Sequence, residues 1–438
     1  MILAALTLLL SAAAGGWLLD RRAPQLGAGL VVGGACIAVI QLALDLVGAG
    51  SAGLTVAFAA LLVPGVLGLV ARARSLRGAA FPKPAFALAV GVTLFAALLL
   101  LSGPLTDWDA RMIWAHKAQL FVRDRSVLAD SFTDPYRLHI HPRYPVLVSL
   151  QTALATVAAG GWDERAYQLL IAAAGVATVW QMARLAGPAA ALTWACTGGW
   201  FLAIARASVE VYLTLATLVA AVAAIDWLRR GGTAEAVRLG LAVGGLLLVK
   251  NEGLVLALSL GLALLATSWH RTGRERLRLA LSAAIALAFL APWLLVRARL
   301  PMVSDAYYTL RLADPAALAA GLKRLPEIFA ALASVLFHWG HWHLVWWSLP
   351  ALAFGAARVA DREARLLLLF AAAYGGAVLA VFVASPYHSV GSHVNVTADR
   401  VLLPAAALLV AAGWRLHAAW ASARPPAAAQ ASEPAAGS

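Results

Sequence analysis

Residues 85–103 read AFALAVGVTLFAALLLLSG, and residues 104–144 read PLTDWDARMIWAHKAQLFVRDRSVLADSFTDPYRLHIHPRY. The first stretch carries no charge; the second packs in five Asp, five Arg, one Lys and three His. An uncharged run close to the ~20 residues that cross a hydrocarbon core as a helix reads as a membrane span. The same alternation continues through all 438 residues, which are 62% hydrophobic and 13% charged, with a mean hydropathy of +0.81. Soluble domains carry about 25% charged residues, and disordered chains combine low hydrophobicity with high net charge. Both classes are excluded, and the expected fold is an all-α polytopic membrane protein.

Working outward, crossings are expected near 2–19, 26–47, 52–71, 85–103, 166–183, 189–205, 209–228, 279–297, 364–384 and 400–418. Two shorter ones, 239–249 and 254–268, flank Lys250-Asn251-Glu252-Gly253, and one more falls near 341–357, about 13 transmembrane helices in all. The formal net charge is +13, but Arg and Lys sit in short clusters between apolar runs rather than on one basic face. That distribution argues against nucleic acid as a partner and for cytoplasmic loops under the positive-inside rule. The clusters are Arg21–Arg22, Arg72/Arg74/Arg77/Lys83, Arg229–Arg230, Arg271/Arg274/Arg276/Arg278 and Arg358/Arg362/Arg365. Keeping all of them on one side places the N-terminus outside and the C-terminus inside. It also forbids 145–160 from crossing, so that segment is expected as a helix on the outer interface, with 327–340 outside as well. MILAALTLLL at the start has no basic n-region and reads as a first span rather than a cleaved signal. Cys36 and Cys196 lie in apolar runs and form neither a disulfide framework nor a CxxC pair.

The outer face then carries loops 104–144 and 298–328, with a shorter one at 385–399, and the tail 419–438 reads as a disordered cytoplasmic end. In 104–144, a helix beginning near Asp109 puts Ile113 and Lys117 on one stripe with it, its carboxylate at the positive N-terminal end. Of Asp107 and Asp109, one is expected to cap the helix and the other to be available for chemistry. The alternative for the whole loop is a solvated surface anchored by Trp108, Trp114 and Tyr136.

Asp109-Ala110-Arg111-Met112-Ile113-Trp114-Ala115-His116-Lys117-Ala118 resembles the D-A-x-x-I-W-x-x-K-A signature of bacterial GT-C superfamily glycosyltransferases. The branch is that of the protein O-mannosyltransferases and lipid A aminoarabinose transferases (family 39-like). His141-Pro142-Arg143-Tyr144-Pro145 is similar to the H-P-x-Y-P that follows there, Lys250-Asn251-Glu252-Gly253 to K-N-E-G, and Asp399-Arg400-Val401-Leu402-Leu403-Pro404 to D-R-x-L-x-P. The resemblance covers 85–418, read as the GT-C-like catalytic membrane domain, and leaves 1–84 as extra N-terminal transmembrane helices. Where the family often has an Asp in G-Y-A-D, this chain has Ser208-Val209-Glu210.

The resemblance implies a membrane glycosyltransferase. Its donor would be a sugar on polyprenyl phosphate, its acceptor a lipid, glycan or protein, and its place the outer face of a bacterial plasma membrane. Transfer needs a carboxylate to take the acceptor proton and cations where phosphate charge develops. The catalytic candidates are therefore Asp109, with Asp107 competing. The donor-phosphate candidates are Lys250, Arg400, Arg143 and His141, supported by Lys117, Glu210 and Glu252. Lys250 reads alternatively as an ion pair with Glu252 or Glu210, and Arg400 as a snorkelling interfacial side chain. Acceptor choice is assigned to Asp305, Tyr307, Tyr308 and Arg311 in the second loop. No resident metal is expected; the run His338-Trp339-Gly340-His341-Trp342-His343 reads as an interfacial belt lacking a nearby carboxylate. A divalent cation between Asp107, Asp109 and a pyrophosphate-like donor is a second option, less needed with a monophosphate. The competing class is a transporter or flippase of a lipid-linked or anionic substrate, which calls for polar groups lining a path at mid-membrane.

Overall fold

A computed structural model describes residues 1–21, 25–75, 83–301, 311–387 and 389–423. Arg22, Arg77, Asp305, Tyr307, Tyr308 and the tail 424–438 lie outside the described residues. The described chain is helical with no strand: α1 (Ile2–Leu19), α2 (Leu26–Leu46), α3 (Gly53–Ser75), α4 (Pro84–Leu101), α5 (His116–Asp124), α6 (Asp130–Thr133), α7 (Leu147–Ala158) and α8 (Arg165–Ala186). Then come α9 (Pro188–Ala195), α10 (Gly198–Ala205), α11 (Val209–Arg230), α12 (Thr233–Leu247), α13 (Asn251–Ser268), α14 (Gly273–Arg299) and α15 (Pro315–Leu322). The last are α16 (Leu325–Leu336), α17 (Trp339–Trp342), α18 (Leu349–Arg358), α19 (Arg362–Val383), α20 (Val390–Val401) and α21 (Leu403–Ser422).

Nine described helices are long and apolar enough to cross a bilayer, and up to 11 if the bent pairs α9–α10 (66°) and α20–α21 (50°) each count as one span. The protein is an all-α, multi-pass membrane protein. The two other expected crossings, 239–249 and 341–357, fall on short elements. With 15 residues, α12 spans about 22 Å at 1.5 Å per residue, against ~30 Å of hydrocarbon. The second falls on α17, α18 and the turns between them.

Long-range hydrogen bonds divide the bundle into two ends. At one, Arg271 donates to the Leu228 carbonyl and Arg278 to that of Gly231 (2.7 Å). Arg229 pairs with Glu363 (2.6 Å), Arg362 donates to Thr267, Arg415 to Leu185, and Arg238 to Leu19. The described members of the Arg clusters from 229 to 365, with Arg72 over Trp180, thus gather at a single end. At the other end lie the Asp109–Arg400 and Lys250–Glu210 pairs, the Gln168–Gly103 bond and the Arg324–Ser385 bond.

The helix α7 corrects an expectation. It enters and leaves at the second end, but every residue from Leu147 to Thr156 is buried, so it is enclosed by the bundle rather than laid on the membrane surface. Its polar side chains are all bonded inside: Ser149 donates to the Trp114 carbonyl, Gln151 to Ser11 and Leu30, and Tyr212 donates to Gln151. With its polar side chains satisfied inside the bundle, the whole circumference of α7 can be buried. The other segment expected outside, α16, is amphipathic; it buries Ile328 and Ala331 and leaves Phe329 exposed.

Helices α1–α3 are part of the same core, with α2 packed on α7, α8, α11, α12 and α14. α1 and α2 meet through backbone: a Cβ added to Gly29 would lie 1.8 Å from the Ala12 carbonyl oxygen, and one on Gly33 2.1 Å from that of Ser11. Small residues allow such approach in membranes, where dispersion and close contact replace the hydrophobic drive. Gly29→Leu is expected to destabilise the fold by at least the ~1–3 kcal/mol typical of overpacking, read as a lower unfolding temperature in detergent. An unchanged transition would mean that the two helices are not in contact.

Candidate functional site

Three helix N-termini converge at the end away from the Arg clusters, each carrying a carboxylate in its first turn: Asp109, Glu210 on α11 and Glu252 on α13. The helix dipole stabilises negative charge at these positions. Asp109–Ala115 is a π-helix leading into α5, where the sequence suggested an ordinary α-helix; such wide turns recur at functional sites. Ile113 and Lys117 are buried on its inner side, while Asp109 at its mouth keeps a side chain 34% exposed.

The two aspartates take different partners. Asp107 accepts the Ala110 backbone N–H (3.0 Å) and caps the helix. Asp109 is held 2.5 Å from Arg400, which lies in the last turn of α20 and is 26% exposed. Arg400 also interacts electrostatically with Glu210 and Asp107. Behind this pair, Lys250 bridges Glu210 (2.8 Å) and Glu252 (2.9 Å), and Ser208 donates to Glu210. Both carboxylates named as alternatives for Lys250 therefore hold it at once. With its side chain 10% exposed, Lys250 neutralises a buried Glu210 and a partly exposed Glu252 rather than forming an open anion site. The chain reverses tightly here: a Cβ on Gly253 would lie 2.1 Å from the Leu246 carbonyl oxygen, so the K-N-E-G stretch needs glycine for α13 to pack back on α12.

Lys117 is wholly buried and donates to the His141 carbonyl (2.9 Å), with the Trp114 and Tyr144 rings 5.3 and 5.9 Å away. It clasps the 141–145 turn, in which His141 has a left-handed backbone (φ 48°) and stacks on Tyr144 at 4.6 Å. Arg143 is half-buried there, its Nε without a hydrogen-bond partner among the described residues. The far end of α5 is tied to α2: Asp45 accepts from Ser126 (2.6 Å) and from the Val127 N–H, and Gln41 donates to the Arg125 carbonyl. Farther out on the loop, burial and the neighbouring His139, Arg137 and Arg123 push the His116 imidazole below its usual range. Arg311, assigned to acceptor choice, bonds the Ala384 carbonyl (2.8 Å) instead of reaching the cluster.

Sequence reasoning missed a second layer. Tyr167 on α8 is fully buried, donates to the Ala207 carbonyl (2.8 Å) and sits in the field of Glu210, Asp107 and Asp109. Asp399 lies in the field of Arg400, His341 and Arg206. His341 belongs to the aromatic run set aside as a belt, and His338 lies beside it (ring centroids 4.8 Å apart). Only the order of these residues in space reveals them, since they are separated by up to 232 positions (Tyr167 to Asp399). No group of three or more His, Cys, Asp or Glu among the described residues is arranged to hold a metal ion.

An apolar cavity of about 440 Å³ opens between α16, α18, α19 and α21, lined among others by Leu336, Trp346, Gly375, Phe382, Leu402 and Leu409. One wall begins at Leu402, two residues after Arg400, and another at Trp346, just past His341 and His343. No family model, curated protein or solved structure matches this chain.

Proposed function

We propose that the protein is a glycosyltransferase that moves a sugar from a polyprenyl-phosphate carrier to an acceptor hydroxyl. The observation that carries this reading is the Asp109–Arg400 pair, a partly exposed carboxylate and cation at the end opposite the Arg clusters. Asp109 takes the acceptor proton as the hydroxyl oxygen bonds to the anomeric carbon; the bond from that carbon to the phosphate oxygen breaks, and polyprenyl phosphate leaves. Arg400 stands where the phosphate charge develops, and charge-assisted bonds of this kind strengthen in a site shielded from water. Behind this pair, the Glu210–Lys250–Glu252 triad ties the start of α11 to the start of α13. Lys117 and the 141–145 turn set the loop wall, with Arg143 and His141 toward the donor.

The positive-inside rule puts the Arg end in the cytoplasm and the site on the outer face of the bacterial plasma membrane. A transporter would need polar groups along the membrane's depth; here the ionisable cluster collects at one end, which favours an enzyme. The reading is tested by supplying membranes with a panel of radiolabelled polyprenyl-phosphate sugars. Consumption of one donor supports it. If no donor is consumed, and labelled lipid or solute instead changes sides in proteoliposomes, the transporter takes its place. Orientation has its own test, in a background lacking Cys36 and Cys196. Arg123→Cys is expected to react with an impermeant maleimide from outside intact cells, and Arg274→Cys only after permeabilisation; the reverse pattern would put the site in the cytoplasm.

A further inference from the structure

We infer that Asp45 and Gln41, on the N-terminal helix α2, are positioning residues for the Asp109 carboxylate: they hold the far end of the helical rod that carries it. This deepens the proposed transfer reaction and rests on it. An ionisable side chain inside a membrane span is costly and marks a role. Asp45 is 5% exposed in the last turn of α2. Its carboxylate accepts from the Ser126 hydroxyl (2.6 Å) and the Val127 N–H (3.1 Å), in the turn that follows α5.

The seat is built from both sides. Gln41 Nε2 lies within hydrogen-bond distance of Asp45 (3.2 Å) and of the Gly50 (3.0 Å) and Arg125 (3.1 Å) carbonyls. A Cβ on Gly50 would lie 1.9 Å from Asp45 Oδ1, and one on Gly53 2.1 Å from Gln41 Oε1, so the α2–α3 turn needs both glycines to admit the two side chains. Opposite them, Arg125 closes α5 with a left-handed backbone (φ 57°), its N–H donating to the Phe121 carbonyl. The π-helix Asp109–Ala115 runs on into α5, so this turn and the Asp109 carboxylate are the two ends of one rod. Between them Lys117, wholly buried and bonded to the His141 carbonyl, is the fulcrum, eight residues from Asp109 and eight from Arg125. Each arm measures about 10–12 Å at helical rise. A displacement of about 1 Å at the turn therefore moves Asp109 by a similar amount, a misplacement that costs on the order of 10²-fold in rate.

The test uses the full chain in phosphatidylcholine nanodiscs, with steady-state sugar transfer and backbone hydrogen exchange as separate readouts. Gly50→Ala displaces the Asp45 carboxylate without removing it. Asp45→Ala and Gly50→Ala are each expected to lower kcat about 10–100-fold with donor KM within about threefold. Both are expected to speed exchange across 110–118 as well as at 125–128. Ser126→Ala removes one bond from the loop side and is expected to give the same pattern on a smaller scale, which decides the matter if Asp45→Ala does not fold. In an Asp109→Asn background, Asp45→Ala is expected to cost less than about twofold more, because the base it would misplace is already gone. A full multiplicative loss there would mean that Asp45 acts on the fold at large, and would overturn the assignment. Wild-type kcat in folded Asp45→Ala, or faster exchange confined to 125–128, would overturn it too and leave the enzyme reading intact. If wild type transfers no sugar, the enzyme reading falls, and with it the catalytic purpose of the lever; faster exchange reaching 110–118 would then retain only the mechanical link.

Discussion

Asp109→Asn is expected to lower sugar transfer by about 10²–10⁴-fold while leaving polyprenyl-phosphate binding within a few fold. That factor is what a positioned general base supplies, and Asn keeps the shape and the hydrogen-bond acceptor but cannot take the acceptor proton. Asp107→Asn is the control two residues away. Asn caps helices about as well as Asp, and Asp107 is engaged with the Ala110 N–H, so its transfer rate should fall less than tenfold. The two rates are compared at matched protein level in the same membranes. Equal losses in both variants would make the segment structural, and a larger loss in Asp107→Asn would move the base to the cap position. Arg400→Gln should behave differently from either: it removes the partner of Asp109 and should weaken donor binding as well as turnover.

The second large effect is on stability. Lys250→Ala leaves Glu210, 3% exposed at its side chain, and Glu252 without their shared cation. Removing one partner of a buried ion pair costs about 3–5 kcal/mol, because the charge left behind is neither solvated nor paired. The variant is expected to unfold at markedly lower temperature in detergent, or to be lost during expression. The triple change Lys250→Met, Glu210→Gln, Glu252→Gln removes the charges together and is expected to regain most of that loss, as uncharged replacements of buried ion networks often do. Transfer by the triple variant then separates the roles of the lysine. Recovered activity makes Lys250 a positioning residue, whereas a folded but inactive protein means that the charges of the triad are themselves needed for transfer. A Lys250→Ala variant as stable as wild type would contradict the burial of the Lys250–Glu210 pair.

Membrane class was legible because each span is a local property: an apolar run either reaches bilayer length or does not. The same holds for 250–253, where three polar residues and a glycine between apolar runs mark a break, and for Asp107 and Asp109, whose spacing suits one of them to cap the helix. Parity of the Arg clusters argued against a crossing at 145–160, and α7, with 12 residues, is too short to span a bilayer. Its burial was not legible. Ser149, Gln151, Thr152 and Thr156 look like a half-wet interfacial face, and only the neighbours on α1, α2 and α11 turn them inward.

The π-helix at 109–115 was also hidden, since helix periodicity is read at α spacing. The involvement of α1–α3 was hidden for a different reason. Nothing local in GGW or GAG announces that Gly15, Gly29 and Gly33 let two backbones touch, or that Gln41 and Asp45 reach residues 125–127.

The chain by itself determined that this is a helical membrane protein with its basic loops segregated and its chemistry-bearing residues in a few polar interruptions. Length, hydropathy and charge sign act on each segment separately, and so they survive in one dimension. Tertiary structure alone decided which carboxylate meets which cation. Asp109 and Arg400 are 291 positions apart and Lys250 and Glu210 are 40 apart. An ion pair depends on the last few ångströms of packing, where helix ends converge and water is excluded, and no sequence interval encodes that distance.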